Sequence, residues 1–132
     1  MNIRKGLVVA AVVVAVTSML GSVAMAHHAR SAYSEEDVTL EGVVVGYSWR
    51  NPHVQIAFDV TDENGKTETW RGELSAVTSM IAAGMNRNTY KPGDQIRVEA
   101  RTAISGEPFA VLGTLWKDGE KILDGAYRLE TR

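Results

Sequence analysis

The stretch HVQIAFDVTDENGKTETWRGEL, from His53 to Leu74, restricts the fold more than any other part of the chain. Val54, Ile56, Phe58 and Val60 alternate with His53, Gln55, Ala57 and Asp59, the two-residue period of a strand with one dry face and one wet face. Asn64-Gly65 follows within DENGK, a pair favoured in primed hairpin turns because their central residues take positive φ. TETWRGEL is therefore expected to return as the antiparallel partner. The valine, isoleucine and phenylalanine side chains then form one wall of a core that the rest of the chain must cover.

The remaining segments supply that cover. VTLEGVVVGYSW, from Val38 to Trp49, is a long strand in which Gly42 and Gly46 mark the bends of strong coiling. SAVTSMIAAG switches to helical spacing through Val77, Met80 and Ile81, with Ser75 placed to cap its start and Gly84 its end. QIRVEART alternates again through Ile96, Val98 and Ala100, PFAVLGTLW follows as another strand, and Asp118-Gly119 turns the chain into KILDGA. Three strands, a helix and two or three strands indicate a mainly β protein. The best-fitting architecture is a small five- or six-stranded antiparallel barrel of the oligonucleotide/oligosaccharide-binding (OB) type, with one short helix between strands 3 and 4. A flat sheet with one packed helix is the alternative.

Ahead of this domain, Arg4 and Lys5 precede the apolar run GLVVAAVVVAVTSML, and Ala24-Met25-Ala26 ends the segment in the small-x-small pattern of a signal-peptidase site. The run is shorter than the roughly twenty residues that span a bilayer comfortably. Residues 1–26 are read as a cleaved secretory signal, 27–37 as a polar N-terminal arm and 38–132 as the barrel domain. Export into the periplasm follows, with membrane contact only through the signal before cleavage. Loss of Arg4 and Lys5 leaves 12 basic against 16 acidic residues, a poor balance for neutralising nucleic-acid phosphates. The chain has no cysteine, which excludes disulfides, thiolate metal ligation and a cysteine nucleophile.

Cleavage after Ala26 makes His27 the first residue of the mature protein. Its α-amine and imidazole can chelate one metal ion, and His28 adds a second imidazole or a square-planar mode through the amide between them. Nitrogen ligands in tetragonal array favour Cu(II), so copper is the expected cofactor. The amine, with an ordinary pKa near 8, must lose its proton, so binding weakens as pH falls. His53 is the expected third ligand, outward by alternation and held by Pro52 before it. Asp59 and Glu73, also outward, are candidate acceptors for an imidazole N–H.

An alternative of a different class is an accessory domain that binds a small ligand or a periplasmic protein through a face around Trp49, Asn51, Trp70 and Glu73. Trp49, Trp70 and Trp116 are otherwise expected to serve packing. No nucleophile elbow, phosphate loop or zinc-protease helix is present, and no constellation for catalysis emerges.

The combination of AHHARSAYSEEDVTLEGVV, WRNPHVQIAFDV, WRGEL and YKPGDQIRVEAR resembles a family of small exported bacterial proteins known as domain of unknown function 6152. The likeness rests on His27 and His28, on Trp49, Asn51, Pro52 and His53, on Trp70 and Glu73, and on Pro92, Gly93 and Asp94. The family's usual His-His-Ser-Phe start reads His27, His28, Ala29, Arg30 here, with Tyr33 as the nearest aromatic residue. The resemblance implies a periplasmic, Gram-negative setting and brings no activity with it.

Overall fold

The computed structural model describes residues 32–125; the apolar leader and the His27-His28 pair lie outside them. The chain divides into two units, 1–32 and 33–132, the second being the barrel. Six strands follow one another as β1 (Val38–Ser48), β2 (Gln55–Thr61), β3 (Thr67–Glu73), β4 (Gln95–Thr102), β5 (Phe109–Lys117) and β6 (Glu120–Leu123), with helix α1 (Val77–Ala82) between β3 and β4. Spatial order is β3-β2-β1-β4-β5-β6, and a further β3–β5 pairing closes the first five into a ring. Four seams of the ring are antiparallel, as expected. The fifth, Arg71–Glu73 against Phe109–Val111, is parallel. A ring of five strands with four antiparallel seams has no other choice, because alternation of direction cannot close on an odd number. β6 lies outside the ring and pairs with the last third of β5.

The long β1 belongs to both halves of the ring. Its first part pairs with β4 and its second with β2, and Val43 is paired to both, opposite Gln95 and Asp59. Gly42 makes this crossing possible: a Cβ there would collide with the Asp59 carbonyl oxygen. A register shift between Val44 and Gly46 adds the second bend. Gly72 has a comparable role inside the barrel, where a Cβ would fall 2.5 Å from the Leu112 side chain.

The dry face of the opening hairpin is buried as its alternation requires: Val54, Ile56 and Phe58 are wholly inside, with Val98, Leu112 and Leu115 facing them from β4 and β5. Truncating a side chain such as Phe58 to alanine costs about 3–5 kcal/mol at such a site. Met80 of α1 plugs this core, but Ile81 is 59% exposed, so the helix buries a narrower stripe than its sequence suggested. Gly84 terminates α1 as expected, with φ +88° and a Schellman pair of bonds, Met85 N–H to Met80 O and Gly84 N–H to Ile81 O. Ser75 does not cap its start. Ala76 occupies the N-cap position, and the Val77 amide donates instead to the side-chain oxygen of Asn51, 3.2 Å away.

Candidate functional site

Asn51 ties the β1–β2 loop to the start of α1, and the loop has two further restraints at its far end. Val54 N–H donates to Ser75 O at 3.1 Å, and Leu74 N–H donates to Val54 O at 2.8 Å, extending the hairpin ladder one pair beyond β2 and β3. His53 therefore leaves a backbone held on both sides, by Asn51 before it and Val54 after it. Its ring Nδ1 lies 2.7 Å from Glu73 Oε1, and the other oxygen of that carboxylate accepts from Gln55 Nε2 at 3.3 Å. Gln55 and Glu73 are cross-strand partners, so the register of the hairpin aims both side chains at one place.

This arrangement has a direct chemical consequence. A neutral imidazole that donates Nδ1–H to a carboxylate carries its in-plane lone pair on Nε2, the tautomer that binds a metal ion. The His53 side chain is 41% exposed and that of Glu73 23% exposed, so the ring is held from beneath and reachable from outside. At that exposure the contact contributes about 0–1 kcal/mol to stability. Its effect is on orientation.

Further along the same outward face of β3, Arg71 lies over the Phe109 ring at 4.7 Å, its partner across the parallel seam. Tyr33, ahead of β1, packs on the same Phe109 ring with 5.9 Å between centroids and pairs with Ala103, while Ser34 N–H donates to Thr102 O at 2.9 Å. Burial raises the Tyr33 phenol above its ordinary pKa, the Glu73 charge raises it further, and Arg71 opposes both. Tyr33, Phe109, Arg71, Gln55, Glu73 and His53 thus share one neighbourhood between the β1–β2 and β4–β5 loops.

The other sequence candidates fall elsewhere. Asp59 accepts a hydrogen bond from Thr69 Oγ1 and sits six residues beyond His53, about 20 Å away along an extended strand. Trp70 is paired with Phe58 and packs against the core, so it points to the opposite face of β3 from Glu73. Trp49 packs on Tyr47 at the barrel end, 5.9 Å between centroids, and Trp116 lies under the Arg97 guanidinium at 4.2 Å. The structure therefore does not bring Trp49, Trp70 and Glu73 onto a common surface. His27 and His28 lie outside the described residues. Among the described residues no group of three or more histidine, cysteine, aspartate or glutamate side chains is placed to hold a metal ion. Sequence reasoning passed over Gln55, Arg71 and Phe109. Only Gln55 had a signal, its outward place in the alternation of β2; its pairing with Glu73 depends on a loop centred on Asn64, whereas a two-residue Asn64-Gly65 turn would have put Leu74 opposite it.

Fold and site together define a small closed barrel of the OB type, carrying a carboxylate-held histidine at the mouth of its β1–β2 loop. The chain belongs to a family of unknown function, DUF6152, whose model matches residues 13–111, from within the apolar run to the third residue of β5. No curated protein and no solved structure matches it.

Proposed function

We propose that this chain is an exported, periplasmic Cu(II)-binding module, in which the mature N-terminus and His53 share one ion. His27 contributes its α-amine and imidazole, His28 a further nitrogen, and His53 its Nε2. The observation that supports this reading is the Glu73–His53 contact of 2.7 Å, itself braced by Gln55, because it fixes the tautomer and ring orientation that a metal ligand needs. The ring is held by Glu73, and Glu73 in turn is held by Gln55. Nitrogen ligation from an amine and imidazoles selects copper above other divalent ions by affinity and by geometry.

The test is a Cu(II) titration of N-terminally verified mature protein, followed by electron paramagnetic resonance and repeated on a variant with one additional residue before His27. The expected result is a tight one-to-one site whose nitrogen hyperfine pattern changes in the extended variant. Weak, non-stoichiometric binding indifferent to the extra residue contradicts the proposal.

A further inference from the structure

Arg97, on the outer face of β4, has two neighbours to choose from. It is the cross-strand partner of Glu41 on β1 and of Trp116 on β5, and antiparallel partners project to the same side of a sheet. Its guanidinium lies over the Trp116 ring at 4.2 Å. Among the described residues, no hydrogen bond or ion pair engages the side chains of Glu41, Gln95 and Arg97, whereas Arg101, Lys117 and Lys121 each meet a carboxylate. An open cavity of about 270 Å³ lies at this place, and Glu41, Gln95, Arg97 and Trp116 supply its side-chain walls. It spans β1, β4 and β5, on the other side of β1 from β2 and the His53–Glu73 contact. The mounting is stiff: Gln95 N–H donates to Asp118 Oδ1 and Asp118 N–H to Gln95 O, both at 3.1 Å, and Trp116 O accepts from the Tyr90 hydroxyl at 3.2 Å. Polar groups carried on a backbone fixed in this way need little reorganisation to receive a ligand.

We propose that this cavity binds one neutral sugar ring, with two adjacent hydroxyls bridging Glu41 and Arg97. The inference is independent of the copper reading. The chemistry of the walls selects the ligand class. A carboxylate only accepts, a guanidinium only donates, and the Gln95 carboxamide does both. Adjacent hydroxyls, each able to donate and to accept, answer Glu41 and Arg97 together. A carboxylate ligand would pair with Arg97 and meet Glu41 as a like charge, and an ammonium would do the reverse, so the opposed charges favour a neutral ligand. The Trp116 indole offers apolar surface to the C–H groups of the ring, and its stacking holds the planar Arg97 fork in place. At about 270 Å³ the cavity falls just below the roughly 300–1,000 Å³ of drug-sized ligand sites, so it holds one ring, with any further rings of a chain outside it.

The experiment titrates the mature protein, without metal, with the methyl glycosides of glucose, galactose and mannose, and follows the Trp116 indole N–H and Arg97 Nε–H by proton–nitrogen correlation NMR. Acetate and tetramethylammonium serve as charged probes. We expect saturable shifts at millimolar affinity with at least one glycoside, centred on Arg97 and Trp116, and none with the charged probes. Glu41→Ala and Arg97→Ala should each weaken that binding about tenfold, the scale of a hydrogen bond to a charged group, with the melting temperature little changed. Arg97→Lys, which keeps the charge and loses the planar fork, should weaken it as well. Shifts that stay linear in concentration for all three glycosides overturn the proposal, as does saturable binding unaltered in Glu41→Ala and Arg97→Ala. Saturable binding of acetate alone makes Arg97 an anion site and overturns it equally. If a variant fails to fold, the wild-type shifts decide, and a glycoside response centred away from Arg97 and Trp116 overturns the site.

Discussion

Asp94 and Glu73 are both carboxylates at the end of a strand or turn, and they are put to opposite uses. Asp94 is 7% exposed and doubly held at one oxygen: Lys117 Nζ and the Lys91 amide both meet Oδ2 at 2.9 Å, while Lys117 also donates to Thr89 O. The backbone on either side is equally committed, with Val44 N–H donating to Asp94 O and Gly93 N–H to Val44 O, which staples the Pro92–Asp94 turn to β1 at its bend. Every one of these contacts is internal. Glu73 instead sets one oxygen against a ring whose side chain is 41% exposed and the other against Gln55. Motifs of equal prominence in the sequence thus separate, once folded, into one that closes the structure and one that holds a part-exposed histidine ring.

The largest effect expected from this contrast is on stability, at Asp94. Asp94→Ala leaves the Lys117 ammonium and the Lys91 amide without their acceptor and detaches the turn from β1, so chemical denaturation should show a greater loss than at Glu73, Asn51 or Gln55. The remaining folded protein should keep its copper spectrum. The Lys117 hydrogen bond is the main reason the Asp94 pKa lies below its ordinary value. A depressed folded-state value means that the stabilisation is complete above the unfolded pKa of about 3.9 and is lost as pH falls through the lower, folded value. Asp94→Asn should therefore remove part of the acid-side slope in a stability–pH profile; an unchanged slope would break the assignment.

At Glu73 the expected effect moves from stability to metal. Glu73→Ala should weaken copper binding by about tenfold, in line with the loss of a hydrogen bond that orients a metal-binding histidine, while unfolding free energy changes by less than about 1 kcal/mol. The reverse outcome, a destabilised protein with unaltered copper affinity, makes Glu73 a structural residue like Asp94. Asn51→Ala removes a cap supplied from across the loop and should cost about 1 kcal/mol in urea unfolding. Smallest is Gln55→Ala, expected to lower copper affinity about two- to threefold by loosening the Glu73 carboxylate, consistent with the modest worth of one hydrogen bond.

Much of this architecture was legible in the sequence because strands declare themselves locally. The alternation from Val54 to Phe58, the Asp118-Gly119 turn and the glycines of β1 each report the shape of the chain within a few residues and appear where expected. The Asn64-Gly65 hairpin forms in place but with positive φ at Gly65 and not at Asn64, so it is not the primed turn the pair suggested. Within the site, the alternation around His53 and Glu73 put both outward, and Glu73 rather than Asp59 proved to be the acceptor because hairpin register carries Asp59 away with Thr69. What local pattern does not encode is closure. The parallel seam that places Phe109 beside Arg71, and the return of Tyr33 onto that pair, join residues separated by dozens of positions. Asn51 taking the helix amide that Ser75 was expected to take is the same effect at smaller scale, since only the folded β1–β2 loop brings it there. Trp70 misleads for a different reason: three residues before Glu73 is an odd step along a strand, so the two side chains part to opposite faces.

The copper reading stands or falls on whether the ring held by Glu73 is a metal ligand. That is tested most directly by titrating mature wild-type protein and His53→Ala with Cu(II) under identical conditions and recording the electron paramagnetic resonance spectrum of each one-to-one complex. The expected result is at least about tenfold weaker binding and the loss of one coordinated nitrogen in His53→Ala, with the melting temperature little changed, because the side chain lies outside the core. Equal affinity and an identical nitrogen pattern would contradict it.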